Sequence, residues 1–164
     1  MRMFAALATV LVLLSGSAFA QQREGRGGRG GAAPPPPPTD PTKGTVMTAA
    51  ELSAALAKLG NERPNASVRV FTVAPYTVNV EHRTNQAQTA SVHPTEAELF
   101  YVVDGSATMV TGGTLMADNK GIEGGTPTKL NKGDFFMVPK GVPHWFSQID
   151  GTALNIMSFH LPMP

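Results

Sequence analysis

Two stretches decide the reading of this chain: SVHPTEAELFYVVDG at residues 91–105 and GDFFMVPKGVPHWFSQ at residues 133–148. The first carries His93 and Glu98 on either side of a tight turn, then an apolar run that predicts a buried strand ending at Asp104-Gly105. The second places His144 directly after Pro139-Lys140-Gly141-Val142-Pro143. Two imidazoles and one carboxylate, each at the edge of an expected strand, are the raw material of a metal site.

Outward from these segments the same period recurs. Short runs at 68–73, 76–83, 89–93, 98–104, 106–111, 134–138, 145–149 and 153–160 read as strands. Between them lie Asp104-Gly105, Gly112-Gly113, Gly124-Gly125-Thr126-Pro127 and Asp150-Gly151, all read as turns. One helical pattern stands before them: Thr48 and Glu51 have capping-box spacing, Leu52, Ala55, Leu56 and Leu59 recur at helical spacing, and Gly60-Asn61 supplies a stop. Eight or so strands without a second helix predict an all-β antiparallel sandwich or barrel, with any ligand held in its mouth.

Composition narrows the chemistry. The 164 residues suit one domain, and the formal net charge of +1 arises outside the strand-rich part. From Gly44 onward eight Lys or Arg face ten Asp or Glu, so this part does not court nucleic acid. Cysteine is absent, which leaves oxygen and nitrogen as metal ligands. Residues 1–20 read as a secretory signal peptide, with Arg2 at the charged start, an apolar run at 4–14 too short to span a bilayer, and Ala18-Phe19-Ala20 before the cleavage point. The expected mature protein is periplasmic or secreted, with no membrane span. Residues 21–43, rich in Gly and Arg and then in Pro, read as a disordered linker leading to a domain at 44–164.

On these residues the chain resembles the cupin superfamily, in its single-domain, conserved-barrel form. The first family motif runs His-x-His, three or four residues, Glu, six residues, Gly; His93, Glu98 and Gly105 fit, and Ser91 stands where the first histidine belongs. The second runs Gly, five residues, Pro-x-Gly, two residues, His, three residues, Asn; Gly133, Pro139, Gly141 and His144 fit, with Gln148 in place of the asparagine. The resemblance implies a jelly-roll β-barrel with one short N-terminal helix. It also implies a divalent metal, Fe, Mn or Zn, on His93, Glu98 and His144, with Glu98 as ligand or general base. A homodimer is common in this superfamily, and no residue pattern here decides it.

Ser91 cannot replace an imidazole as a strong ligand, which directs attention to the other polar residues. His82 and His160 also end expected strands and are candidates for an additional ligand, an orienting role, or simple burial with a hydrogen bond. Ser91 and Gln148 themselves remain candidates near the site. Glu96 reads as a solvated turn residue, because the six-residue step to Gly105 favours Glu98. Tyr101 and Trp145 are candidate pocket walls; the alternative for Tyr101 is packing on the outer side of the sheet with Phe100 facing in, and the alternative for Trp145 is the core. Two functions follow: a metal-dependent enzyme of oxygenase, isomerase or lyase type on a small organic molecule, or a non-catalytic module binding a sugar or another small ligand.

Overall fold

In the computed structural model, which describes residues 39–164, strand alternation is realised in two facing antiparallel sheets. The helix α1, Ala49–Ala57, begins at the expected cap, where Glu51 N–H donates to Thr48 Oγ1 and the Thr48 N–H donates to Glu51 Oε2. Its half-buried Leu52, Ala55 and Leu56 turn towards the first strands. Those are β1, Asn65–Val73, and β2, Tyr76–Thr84, a hairpin closed at Ala74-Pro75 through a cis peptide bond. Then come β3, Glu96–Asp104, β4, Ser106–Thr111, β5, Thr114–Leu115, and β6, Ile122–Glu123. The chain closes with β7, Thr126–Asn131, β8, Phe135–Val138, β9, His144–Ile149, and β10, Ala153–Pro162. The larger sheet has the order β1-β2-β10-β3-β8, the second β7-β4-β9, and β5 pairs only with β6.

The Asp104-Gly105 turn takes the chain from one sheet to the other. Gly105 has φ +89, and a Cβ there would stand 2.6 Å from the Ala153 carbonyl oxygen, so both backbone conformation and space demand glycine. Phe100, Val102, Leu154 and Ile156 of the larger sheet meet Ala107, Met109, Leu130 and Phe146 of the smaller one in a single core. Phe100 packs edge-on to Phe146 with ring centroids 5.5 Å apart. Along β3 and β10 the inward residues change from apolar to polar towards one end: Val102, Phe100, Glu98 and Glu96 on one, Leu154, Ile156, Ser158 and His160 on the other. That polar end is the mouth of the barrel.

Two local expectations are corrected. Residues 89–93 form no strand; Ser91 alone bridges to His144, since Pro94 ends the run before a second pair can form. Thr126-Pro127 is not a turn but the start of β7, where Pro127 lies opposite Val110 on an edge strand that tolerates a missing N–H. At the end of the expected linker, Thr39 N–H donates to the Thr72 carbonyl at 3.0 Å and Thr42 N–H to Asp40 Oδ1 at 2.9 Å. The expected signal peptide at 1–20 and the linker at 21–38 lie outside the described residues.

Candidate metal centre

His93 and His144, far apart in sequence, are brought together by backbone. Ser91 N–H donates to the His144 carbonyl and His144 N–H to the Ser91 carbonyl, each at 2.9 Å, while Gly141 N–H donates to the His93 carbonyl at 2.8 Å. The two motifs are thus stitched to one another, with Ser91 serving through its main chain. Glu98 projects from β3 between them. His93 Nε2 lies 3.1 Å and His144 Nε2 3.2 Å from the same carboxylate oxygen, Glu98 Oε2. The imidazole rings stand 5.2 Å apart.

Electrostatics follow from that crowding. Burial by itself would raise the Glu98 carboxyl, but hydrogen bonds from His144 and His93, with the charge of His160, outweigh it and hold the group down to about 2. The hydrogen bond to Glu98 raises His93 above its ordinary value against the opposing effect of burial, helped by the charges of Glu98, Glu96 and Glu81. His144 Nδ1 lies 3.3 Å from the Val142 carbonyl oxygen, which can only accept, so Nδ1 is a donor there and Nε2 is the ring nitrogen turned towards Glu98.

The donor set fits a divalent cation. Metal bonds of about 2.0–2.2 Å to nitrogen and oxygen put neighbouring ligand atoms roughly 3 to 3.5 Å apart. The two nitrogens stand at that separation from Glu98 Oε2, and His93, Glu98 and His144 offer ligand atoms all within 4.8 Å of one another. A second cluster, His93, Glu96 and His160, shares His93. In it the Glu96 carboxylate accepts from His160 Nδ1 at 2.7 Å, which turns His160 Nε2 to within 3.5 Å of Glu98 Oε1.

The remaining sequence candidates scatter. His82 lies on the face of β2 opposite the interior, bound to Asn155 Oδ1 and Asn61 Oδ1 at 2.7 Å each, and so reaches no metal cluster. Gln148 sits exposed on β9 and donates to Asp150 Oδ1. Tyr101 as a pocket wall is corrected: alternation along β3 sends it outward, onto exposed Phe135 at 4.6 Å between ring centroids. Trp145 is corrected likewise, since it follows inward His144 and donates from Nε1 to the Gln88 carbonyl at 2.9 Å.

Two features escaped the sequence reading. Glu96 is not a turn residue: it opens β3 and points to the same side as Glu98, a pairing its spacing of two along a strand could have revealed. Below the mouth, Glu81 accepts from Ser158 Oγ at 2.6 Å and from Arg83 Nε at 2.9 Å, with Arg83 over the Phe146 ring at 4.8 Å. The interior face of β2 is therefore the polar one, Asn79, Glu81 and Arg83. Val78, Val80 and His82 face the other way.

Comparison places this fold among known proteins. Residues 76–160 match the family model described as a cupin domain. The cupin domain of Cnp3 from Schizosaccharomyces pombe superposes with TM-score 0.53 at 14% identity, covering 66% of this chain and 72% of that one. TT1209 from Thermus thermophilus gives 0.51 at 20% identity, over 66% of this chain and 95% of that one. HppE with Fe(II) gives 0.52 at 16% identity, over 62% and 53%. No curated protein matches the chain.

Proposed function

The chain belongs to the cupin domain family, and from that premise we propose that it holds a divalent metal on His93, Glu98 and His144 and acts on a small organic molecule at the barrel mouth. One observation carries the reading: a single buried carboxylate oxygen, Glu98 Oε2, receives two imidazole Nε2 atoms at 3.1 and 3.2 Å. Fe(II), Mn(II) and Zn(II) all suit two nitrogens and an oxygen with open positions.

A metal bound there supplies Lewis acidity to a substrate oxygen or, as iron, activation of dioxygen. The residues do the rest. The Val142 carbonyl fixes the tautomer of His144, and Glu96 fixes that of His160. Phe100 and Val138 line the interior behind Glu98 and keep bulk water from the inner side. Glu98 Oε1, 3.5 Å from His160 Nε2, is placed to accept a hydrogen bond from a substrate hydroxyl and orient it. This supports oxygenase, isomerase or lyase chemistry on one scaffold. Ser91 in the place of an imidazole favours a second reading, a module that binds a sugar or another small molecule without converting it. In either reading the leader-like residues 1–20 support work outside the cytoplasm.

The test is elemental analysis of untagged protein supplied with Fe, Mn and Zn. Stoichiometric metal in the wild type that is lost in His93→Ala and His144→Ala, with the circular dichroism of a folded sheet retained, is the expected result. Equal metal in wild type and His144→Ala, or none in either, refutes the site.

A further inference from the structure

A cavity of about 290 Å³ opens at the barrel mouth, lined by Arg69, Pro75, Thr77, Asn79, Glu96 and His160. It borders the metal cluster through His160 and Glu96. Cross-strand pairing lays its floor in two rows: Arg69 opposite Asn79 and Asn79 opposite Ser158, then Thr77 opposite His160 and His160 opposite Glu98. Partners across a ladder share a face, so a strip of hydrogen-bonding side chains runs from the edge strand β1 to the Glu98 carboxylate. Its length is three strand spacings, about 14 Å of backbone at roughly 4.8 Å each.

The two ends of this strip differ in charge, with Arg69 at one and the carboxylates of Glu96 and Glu98 at the other. Arg83, deeper in the barrel, is neutralised by Glu81 at 2.6 Å. Glu96, the one carboxylate among the cavity's lining residues, is engaged by His160 at 2.7 Å. No carboxylate of the described residues forms an ion pair with Arg69, and its side chain is exposed at the entrance. A register shift between Arg69 and Phe71 marks a bulge next to it, a device that re-aims a side chain beside a site.

We propose that this cavity takes a small organic acid, its carboxylate seated on Arg69 and its far end, a hydroxyl or carbonyl oxygen, directed at the His93–Glu98–His144 cluster. The far end rests on the metal reading above; the Arg69 end does not. A monoanion is favoured over a phosphate because Arg69 is the one Lys or Arg among the lining residues, flanked by the neutral donors Thr77 and Asn79, and the Glu96 carboxylate on β3 would repel a second negative charge. The volume sits at the small end of ligand pockets, which run from about 300 Å³ upward, and admits a molecule of few carbons.

The probes are glycerate, glycerol 3-phosphate and glycerol, titrated by NMR into the metal-supplied full chain at low and high salt. Glycerate is expected to bind, more weakly at high salt, and glycerol not to bind. Arg69→Gln is expected to weaken glycerate at least tenfold with metal content and fold unchanged, and Arg69→Lys to retain part of the affinity. Unchanged glycerate binding in Arg69→Gln, glycerol binding equal to glycerate, no glycerate binding, or tighter glycerol 3-phosphate binding each overturns the proposal. If the wild type holds no metal yet binds glycerate through Arg69, the metal reading alone falls.

Discussion

Replacing Glu98 by Gln in the metal-free protein keeps the shape of the side chain and removes its charge, and the consequence is set by the imidazoles around it. In the fold the Glu98 carboxyl is held down to about 2 against an ordinary 4.5. A group depressed in the folded state contributes stability in full above its unfolded value, and loses it as pH falls from 4.5 towards 2. At about 1.4 kcal/mol per unit this is on the order of 3 kcal/mol, and the carboxylate is buried, so solvent screens little of it. His93 acts in the opposite sense. Its folded value is raised above 6.5, so its contribution is present below 6.5 and is lost as pH rises through the folded value. Both contributions are complete only between pH 4.5 and 6.5, where this pair therefore adds most to the stability of the metal-free protein. Urea unfolding followed through Trp145, the sole tryptophan, measures this across pH. The difference between wild type and Glu98→Gln should shrink steadily as pH falls from 4.5 towards 2, since all other carboxylates cancel in the subtraction. A difference that stays constant over that range refutes the reasoning. Added metal must displace the proton of His93, so its stabilisation should grow as pH rises towards neutrality.

Gly105→Ala forces a Cβ to 2.6 Å from the Ala153 carbonyl at φ +89 and should lower the unfolding free energy by roughly 1–3 kcal/mol in the same urea assay; an unchanged midpoint contradicts the turn geometry. His82→Ala should leave metal content at the wild-type level, because both ring nitrogens are spent on Asn155 and Asn61. Metal loss as severe as in His144→Ala would place His82 in the site after all.

Much of the site was readable before folding. His93, Glu98 and His144 sit in or beside short, strongly patterned strands: His144 opens β9, Glu98 is third in β3, and His93 lies three residues before β3. The capping box of α1 and the Asp104-Gly105 turn are also local, each set by a few neighbouring residues. Strand β7 escaped because Pro127 reads as a breaker until its edge position is known. Glu96 escaped because its partner, His160, lies 64 residues away.

From sequence alone came the all-β class and the three candidate ligand positions, and the order of residues 77–83 sorts them into an apolar set, Val78 and Val80 with His82, and a polar set, Asn79, Glu81 and Arg83. Which set faces inward was decided only by the tertiary structure. Period-two alternation sorts side chains into two faces but carries no label for the interior; the label comes from the strand paired alongside. Once β10 lies against β2 with Ile156 opposite Glu81 and His160 opposite Thr77, the polar face turns inward. His82 is then carried outside, and Arg69, Asn79 and His160 share one cavity wall with Glu96.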